Sequence, residues 1–256
     1  MLFPIGVGKA ERVLYLPSAG FCLLVGAFAG MAERRVRRSV WLYLLVLSVL
    51  VGFSVRTYVR NADWRDDLTL ALATLKVSPA PPLFNRIAGV EYRKRGEWAR
   101  SEPFLRAALR AKPEYYGDSY VLGNNSLDLG KYDEAIGCYR RALELRPGYL
   151  GAMNYLGRAY MPSGRITEAI ATFTSILARD RRYLNAYLNL GTVYLHVGEP
   201  DRADSVSREG LSVLPDAAGL HFNRAVTLNQ LGRLDEAGRE QQRAVALDPG
   251  FGRSPF

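Results

Sequence analysis

Acidic, histidine and cysteine side chains are the first candidates for chemistry, because they serve as general acids, metal ligands and nucleophiles. Asp66 and Asp67 are adjacent, and neighbouring residues of a helix point in different directions, so this pair does not form a two-carboxylate site. The histidines and cysteines are isolated and show no spacing typical of metal ligands. They are His196, His221, Cys22 and Cys138. We therefore predict that this chain alone is not catalytic and holds no metal and no cofactor.

Asparagine and aromatic side chains are the second candidates, because they can bind a peptide without covalent chemistry. An asparagine amide both donates to and accepts from an extended backbone, and an aromatic ring adds apolar contact area. The candidates for a peptide-binding groove are Tyr120, Asn124, Asn154, Arg158, Asn189, Phe222 and Asn223. Replacing Asn154, Asn189 and Asn223 together with alanine is expected to weaken partner binding and to leave the melting temperature nearly unchanged. The alternative is that these asparagines are structural.

A repeat of 34 residues, starting at residue 82, positions these side chains. Glycine recurs at that interval, and proline recurs 17 residues after four of the five glycines. The glycines are Gly96, Gly130, Gly164, Gly198 and Gly232, and the prolines are Pro113, Pro147, Pro215 and Pro249. A glycine that ends one helix and a proline that ends the next predict a helix–turn–helix unit. The units are 82–115, 116–149, 150–183, 184–217 and 218–251.

This period and pattern are typical of the tetratricopeptide repeat (TPR), whose units stack because none can bury its apolar face alone. We predict an all-α fold in which residues 82–251 form a right-handed TPR solenoid and residues 61–81 form a half-repeat connector. In a TPR superhelix the first helix of each unit lines the concave face. The groove candidates project onto or near that face, where we expect a protein or peptide partner.

Three local features should modify the helices. Four residues are expected to be the N-caps of second helices, because their side-chain oxygens can accept from free amides. They are Asp133, Thr167, Asp201 and Asp235. Pro162 is expected to shorten the first helix of the third unit. Gln241, which replaces an aromatic residue of earlier units, is expected to let the last helix face water.

Two stretches before the repeats, residues 13–30 and 39–55, contain no charged residue. At about 1.5 Å per residue, each helix would be slightly shorter than a hydrocarbon core. A basic connection from Arg34 to Arg38 joins them, and the positive-inside rule places it in the cytoplasm. We therefore predict that residues 1–60 are a membrane region with a two-helix transmembrane hairpin. The alternative is a signal peptide cleaved after the small-x-small pattern of residues 27–29.

This topology makes the chain an integral membrane protein whose repeats are extracytoplasmic, on the periplasmic, extracellular or lumenal side. The charge distribution agrees with it. The net charge is +9 overall, and residues 1–60 carry eight basic and two acidic residues, which is +6 and leaves +3 for residues 61–256. Basic residues beside apolar stretches contact lipid headgroups and control topology. The nearly balanced remainder predicts no nucleic-acid partner.

The stretch LFPIGVGKAERVLYLPSAGFCLLVG, residues 2–26, resembles the segment before the last membrane spans of the transmembrane and TPR-containing protein O-mannosyltransferases. The resemblance implies a multi-span glycosyltransferase of the GT-C type followed by an extracytoplasmic TPR array. The proposed catalytic acids of that family lie far upstream of this stretch and have no counterpart here. The chain therefore resembles the C-terminal part of such an enzyme and is not expected to transfer sugar by itself.

Glu11 and Arg12 in this stretch are candidates for contact with the phosphate of a lipid-linked sugar donor, since a guanidinium fork pairs with phosphate. The alternative is that Arg12 only reaches lipid headgroups. Two functions follow from the sequence. One is the acceptor-binding part of a mannosyltransferase-like enzyme whose upstream GT-C domain is a partner. The other is a self-standing, membrane-tethered TPR adaptor unrelated to glycosylation.

Overall fold

The computed structural model describes residues 48–49, 51–52, 66–78 and 81–253. Within these ranges the regular elements are helical, which confirms the all-α prediction. The helices are α1 (Asp67–Val77), α2 (Pro82–Lys94), α3 (Trp98–Ala111), α4 (Tyr116–Asp128), α5 (Tyr132–Leu145), α6 (Leu150–Tyr160), α7 (Ile166–Arg179), α8 (Leu184–His196), α9 (Pro200–Val213), α10 (Ala218–Gln230) and α11 (Leu234–Leu247), followed by a 3-10 helix (Pro249–Arg253).

The chain divides into two compact units, Met1–Pro79 and Ala80–Phe256. In the first unit, the predicted spans 13–30 and 39–55 lie outside the described residues, apart from residues 48–49 and 51–52, which are helical. None of the helices in the described ranges combines the length and the hydropathy needed to cross a membrane.

Helix α1 begins with a capping box. The Asp66 carboxylate accepts from the Thr69 amide at 2.7 Å, and the Thr69 hydroxyl accepts from the Asp66 amide at 3.3 Å. Asp67 lies in the first turn, where a negative charge is favourable beside the free amides of the helix. Both acids are exposed, so a role in starting the helix accounts for their presence.

In the second unit, helices α2 to α11 form five pairs, which we call repeats 1 to 5, and the contacts run mainly between helices adjacent in the chain. Each pair turns at a glycine with a φ of 74 to 76°, at Gly96, Gly130, Gly164, Gly198 and Gly232. This left-handed conformation costs glycine little and other residues more. The prediction that these glycines end the first helices is confirmed. Pro162 has the expected effect as well, because α6 has 11 residues where α4 and α8 have 13.

The N-cap prediction for the second helices is wrong. Helices α5, α7, α9 and α11 begin one residue before Asp133, Thr167, Asp201 and Asp235, so these residues occupy the second helical position. The observed N-caps make no side-chain cap hydrogen bond in the described helices; they are Lys131, Arg165, Glu199 and Arg233. The three aspartates act instead through their charge beside the helix amides.

The two helices of a repeat approach where a small residue on the first faces a large one on the second. A Cβ added at Gly157 would lie 2.6 Å from the Phe173 ring, and one at Gly123 would lie 2.7 Å from the Tyr139 ring. Phe173 and Tyr139 are fully buried and belong to one apolar core. This arrangement fixes the spacing of α4 and α6 from their partner helices, and therefore the position of the side chains on the first helices.

The prediction that Gln241 lets the last helix face water is met only in part. Gln241 is half-buried, and its Nε2 donates to the backbone oxygen of Phe251 at 3.1 Å. The amide thus holds the 3-10 helix Pro249–Arg253 against α11. The physical reason is that the methylene groups of a glutamine can pack along a helix while its amide donates to a backbone carbonyl of the segment that follows.

Candidate peptide-binding site

The first helices of successive repeats are joined by asparagine side chains. Asn189 Nδ2 donates to Asn154 Oδ1 at 2.8 Å, which connects α8 to α6. Asn223 Nδ2 donates to the backbone oxygen of Leu188 at 3.4 Å, which connects α10 to α8. These amides therefore hold repeats 3, 4 and 5 together, whatever else they bind.

The seven groove candidates differ in exposure. Asn124 and Asn154 are buried, Arg158 is exposed, and Tyr120, Asn189, Phe222 and Asn223 are half-buried. Asn124 Oδ1 accepts from the Tyr139 hydroxyl at 2.8 Å, so its amide is occupied inside repeat 2. Glu11 and Arg12, the candidates for lipid phosphate, lie outside the described residues.

Burial of Asn154 changes the expectation for its replacement. Asn154→Ala would remove a side chain that is 4% exposed and leave the Asn189 amide without its acceptor. We expect a loss of about 1–2 kcal/mol in the free energy of unfolding. Urea unfolding followed by helical circular dichroism measures it. Asn229→Ala, at an exposed position in α10, is the control and should change stability by less than about 0.5 kcal/mol; equal effects of both would refute the structural role.

An aromatic contact within repeats was not predicted. The Tyr149 ring lies 5.0 Å from that of Tyr120, and the Phe251 ring lies 5.1 Å from that of Phe222. In each pair the two residues are 29 apart, so the end of a repeat returns to its own first helix. The sequence contains a signal for this contact, because aromatic residues occupy the last position of four of the five repeats. They are Tyr115, Tyr149, Tyr183 and Phe251.

Repeats 2 and 3 carry a continuous row of half-buried rings, which we call the tyrosine row: Tyr116, Tyr149, Tyr120 and Tyr155. Ring centroids along it are 5.3, 5.0 and 5.7 Å apart, and all three contacts are edge-on. Edge-to-face packing is the favourable geometry for such pairs and holds the rings rigid. The row is therefore a preformed apolar strip with phenol oxygens along it.

Arginines lie on the rings at both ends of the tyrosine row. The Arg146 guanidinium is 4.9 Å from the Tyr116 ring centroid and 5.5 Å from that of Tyr149. The Arg158 guanidinium is 4.9 Å from the Tyr155 centroid. Both arginines are exposed, and neither forms an ion pair with a carboxylate in the described part of the chain.

The phenols of Tyr149 and Tyr139 stay neutral at physiological pH. Burial, with the neighbouring phenols, raises the pKa of Tyr149 to about 12. Burial also raises the pKa of Tyr139, which packs against Tyr120 and Tyr155. The Tyr149 phenol therefore adds no charge to the tyrosine row.

Other charged groups form structural pairs. Arg86 donates from Nη2 to Asp118 Oδ2 at 2.9 Å and also from Nε to Oδ1, which joins α2 to α4. In repeats 4 and 5, Arg224 bridges the buried Asp204 at 2.8 Å and Glu240 at 2.6 Å.

The isolated histidine and cysteine that the structure places in the core region also have local explanations. His221 lies between the Glu240 carboxylate, at 2.6 Å from Nδ1, and the backbone oxygen of Pro215, at 2.9 Å from Nε2. Burial raises the pKa of Cys138 to about 11, which keeps its thiol protonated and weakly reactive. Neither residue is arranged for catalysis.

A family model described as tetratricopeptide repeat matches residues 120–183, 156–205 and 188–250, which together cover more than half of the chain. The chain belongs to the tetratricopeptide repeat family. Two solved structures share its fold. The crystal structure of MamA protein has a TM-score of 0.55 and 22% sequence identity, covering 68% of this chain and 96% of that one. A thermophilic TPR protein of Thermus thermophilus has a TM-score of 0.54 and 24% identity, covering 66% and 92%.

Curated relatives of this TPR chain are named protein O-mannosyl-transferases. Tmtc2 of Drosophila melanogaster is 38% identical over 114 residues, and TMTC3 of Homo sapiens is 30% identical over 138 residues. The matches cover 44% and 53% of this chain but only 12% and 15% of those relatives. The similarity lies over the TPR region, as expected for a TPR C-terminal part of such a protein.

Proposed function

We propose that this protein is a membrane-anchored TPR protein that binds extended segments of a partner protein on its first helices. The tyrosine row is the observation that carries this proposal. Rigid rings that present apolar edges and phenol oxygens offer contact area at a small entropic cost. The row combines these rings with exposed arginines, so it has both apolar and polar partners for a peptide.

The binding proposal is tested with the full-length chain, solubilised in a mild non-ionic detergent, and a library of fluorescent decapeptides of varied composition. We expect a subset of the peptides to bind, and Arg158→Glu to weaken that binding roughly fivefold, since it reverses a charge at the site. Arg179→Glu is the control, because Arg179 is exposed on α7 and lies outside the tyrosine row. Absence of binding by every peptide would contradict the proposal.

We further propose that the bound partner is the acceptor of a protein O-mannosyl-transferase-like enzyme of the GT-C type. The support is the similarity of the TPR region to O-mannosyl-transferases, together with the resemblance of residues 2–26 to the segment before the last spans of that family. The alternative is an adaptor unrelated to glycosylation. An in-frame upstream extension or a neighbouring gene that encodes further spans and an acidic first loop favours the enzyme; its absence favours the adaptor.

The same proposal makes this chain an accessory part without its own transferase activity. Given a lipid-phosphate mannose donor and an acceptor protein, the purified chain is expected to transfer no mannose above background. Radiolabelled mannose in the acceptor measures transfer. Transfer that disappears in Asp66→Asn or Asp67→Asn would contradict the assignment of these acids to helix initiation.

The anchor and the topology are part of the proposal. The apolar stretches 13–30 and 39–55, with the basic connection between them, support a hairpin that leaves the TPR array outside the cytoplasm. A reporter that is active only in the cytoplasm, fused after Phe256, is expected to be silent. The same reporter inserted between Arg35 and Val36 is the positive control. A signal from the Phe256 fusion would refute the topology.

A further inference from the structure

We propose that the tyrosine row selects an acidic, proline-containing segment in the polyproline II conformation. This inference rests on the proposed peptide-binding function and states the chemistry of the peptide. It follows from two features of repeats 2 and 3, namely the rings and the arginines at the ends of the row.

The rings determine the backbone conformation of the segment. Grooves lined with aromatic side chains bind proline-rich segments, because a polyproline II helix is already ordered and presents its pyrrolidine rings to flat faces. Three edge-on contacts hold the rings of Tyr116, Tyr149, Tyr120 and Tyr155 in a line. The half-buried phenols of the row carry hydroxyl groups that can donate to and accept from a backbone that has no internal hydrogen bonds.

The arginines determine the charge of the segment. Arg146 and Arg158 are exposed, their guanidinium groups lie over tyrosine rings, and neither has a carboxylate partner in the described residues. Arg146 Nη1 donates to the Tyr116 hydroxyl at 2.5 Å, and the remaining N–H groups of the two guanidinium groups can donate to a carboxylate. Several other exposed arginines are paired with a carboxylate, such as Arg165 with Asp133 at 2.8 Å. The row therefore offers two positive charges for acidic side chains.

The test uses the full-length chain and three fluorescent decapeptides of alternating residues: Glu-Pro, Gln-Pro and Glu-Gly. Anisotropy gives the dissociation constant of each. We expect Glu-Pro to bind about tenfold more tightly than Gln-Pro, which lacks the charge. We also expect it to bind more tightly than Glu-Gly, which pays more entropy on ordering. Salt should weaken the Glu-Pro complex.

Variants locate the site. Arg146→Gln and Arg158→Gln are each expected to weaken Glu-Pro binding about fivefold and to leave Gln-Pro binding almost unchanged. Both arginines are on the surface, so these variants keep the fold. Arg110→Gln, an exposed arginine of α3, removes one positive charge elsewhere. Because the chain carries a net charge of +9, this control separates the site from general attraction.

The outcomes are distinct. Equal affinity for Glu-Pro and Gln-Pro overturns the acidic preference, and equal affinity for Glu-Pro and Glu-Gly overturns the polyproline II preference. The same loss in Arg110→Gln as in Arg146→Gln and Arg158→Gln overturns the location. Any of these results, or binding of library peptides but of neither proline peptide, leaves the proposed peptide-binding function in place. Failure of every peptide removes both proposals.

Discussion

Gly157→Ala is expected to lower the free energy of unfolding by about 1–3 kcal/mol, as overpacking of a filled core does. The added Cβ would lie 2.6 Å from Cζ of Phe173, whose side chain is fully buried. The ring cannot move without displacing the core around it, because interiors are close-packed. Urea unfolding of the full-length chain, followed by helical circular dichroism, measures the change.

Gly191→Ala is the matched control, and the opposite sign is expected. Gly191 has the same place in repeat 4, but the residue opposite it is Ser207, whose Oγ is 4.0 Å from an added Cβ. With room available, alanine is favoured over glycine in a helix by about 1 kcal/mol. Equal destabilisation by both changes would contradict the proposed cause, which is that a large residue on the second helix excludes a Cβ from the facing position of the first helix.

Arg86→Gln is expected to destabilise the chain by about 2–4 kcal/mol, because it leaves a buried carboxylate without its charge partner. Asp118 is 1% exposed and receives two hydrogen bonds from Arg86. The hydrogen bond to Asp118 is the main cause that raises the pKa of the Arg86 guanidinium, so this guanidinium is fully charged at neutral pH. Thermal and urea unfolding of the full chain measure the loss.

Two further variants test this interpretation. Arg165→Gln removes the Arg165–Asp133 pair, which also joins adjacent repeats but is solvent-exposed, at 39% and 82%. It should cost less than about 1 kcal/mol. The double variant Arg86→Met/Asp118→Leu should recover part of the loss of Arg86→Gln, because an apolar pair leaves no unpaired charge. A double variant that is no more stable than Arg86→Gln would show that the cost lies in packing rather than in the orphaned carboxylate.

The period of the sequence predicts the helices well, because glycine and proline act on the local backbone. Gly130 has the positive φ that its place between two helices requires, and α5 ends two residues before Pro147. The N-caps were misplaced since Asp133 is a good cap by residue type. Its position in the helix, however, depends on where the turn at Gly130 ends, and the turn ends so that Lys131 is the N-cap.

The side chains of the candidate site were harder to predict, because their contacts cross between elements. The pattern located Tyr120 but not the rings around it, since Tyr149 reaches Tyr116 and Tyr120 only when repeat 2 has folded, and Tyr155 reaches Tyr120 only when repeat 3 has packed on repeat 2. Likewise, the sequence shows that Asn154 is polar and lies on a first helix. The amide oxygen of Asn154 accepts from Asn189 in the next repeat, and this contact depends on the packing of α6 on α8.

The aromatic core that runs through repeats 2 to 4 ends before the last helix, where Gln241 holds the short segment around Phe251. Stacked repeats share stability mainly with their neighbours, so the free energy of local opening differs from one repeat to the next. We expect the last helix pair to open first, while α5, α6 and α7 stay closed around the buried Tyr139 and Phe173. Tyr120 and Tyr155 of the tyrosine row pack against Tyr139, so a ligand on the row is expected to meet a surface that persists while the last repeat opens.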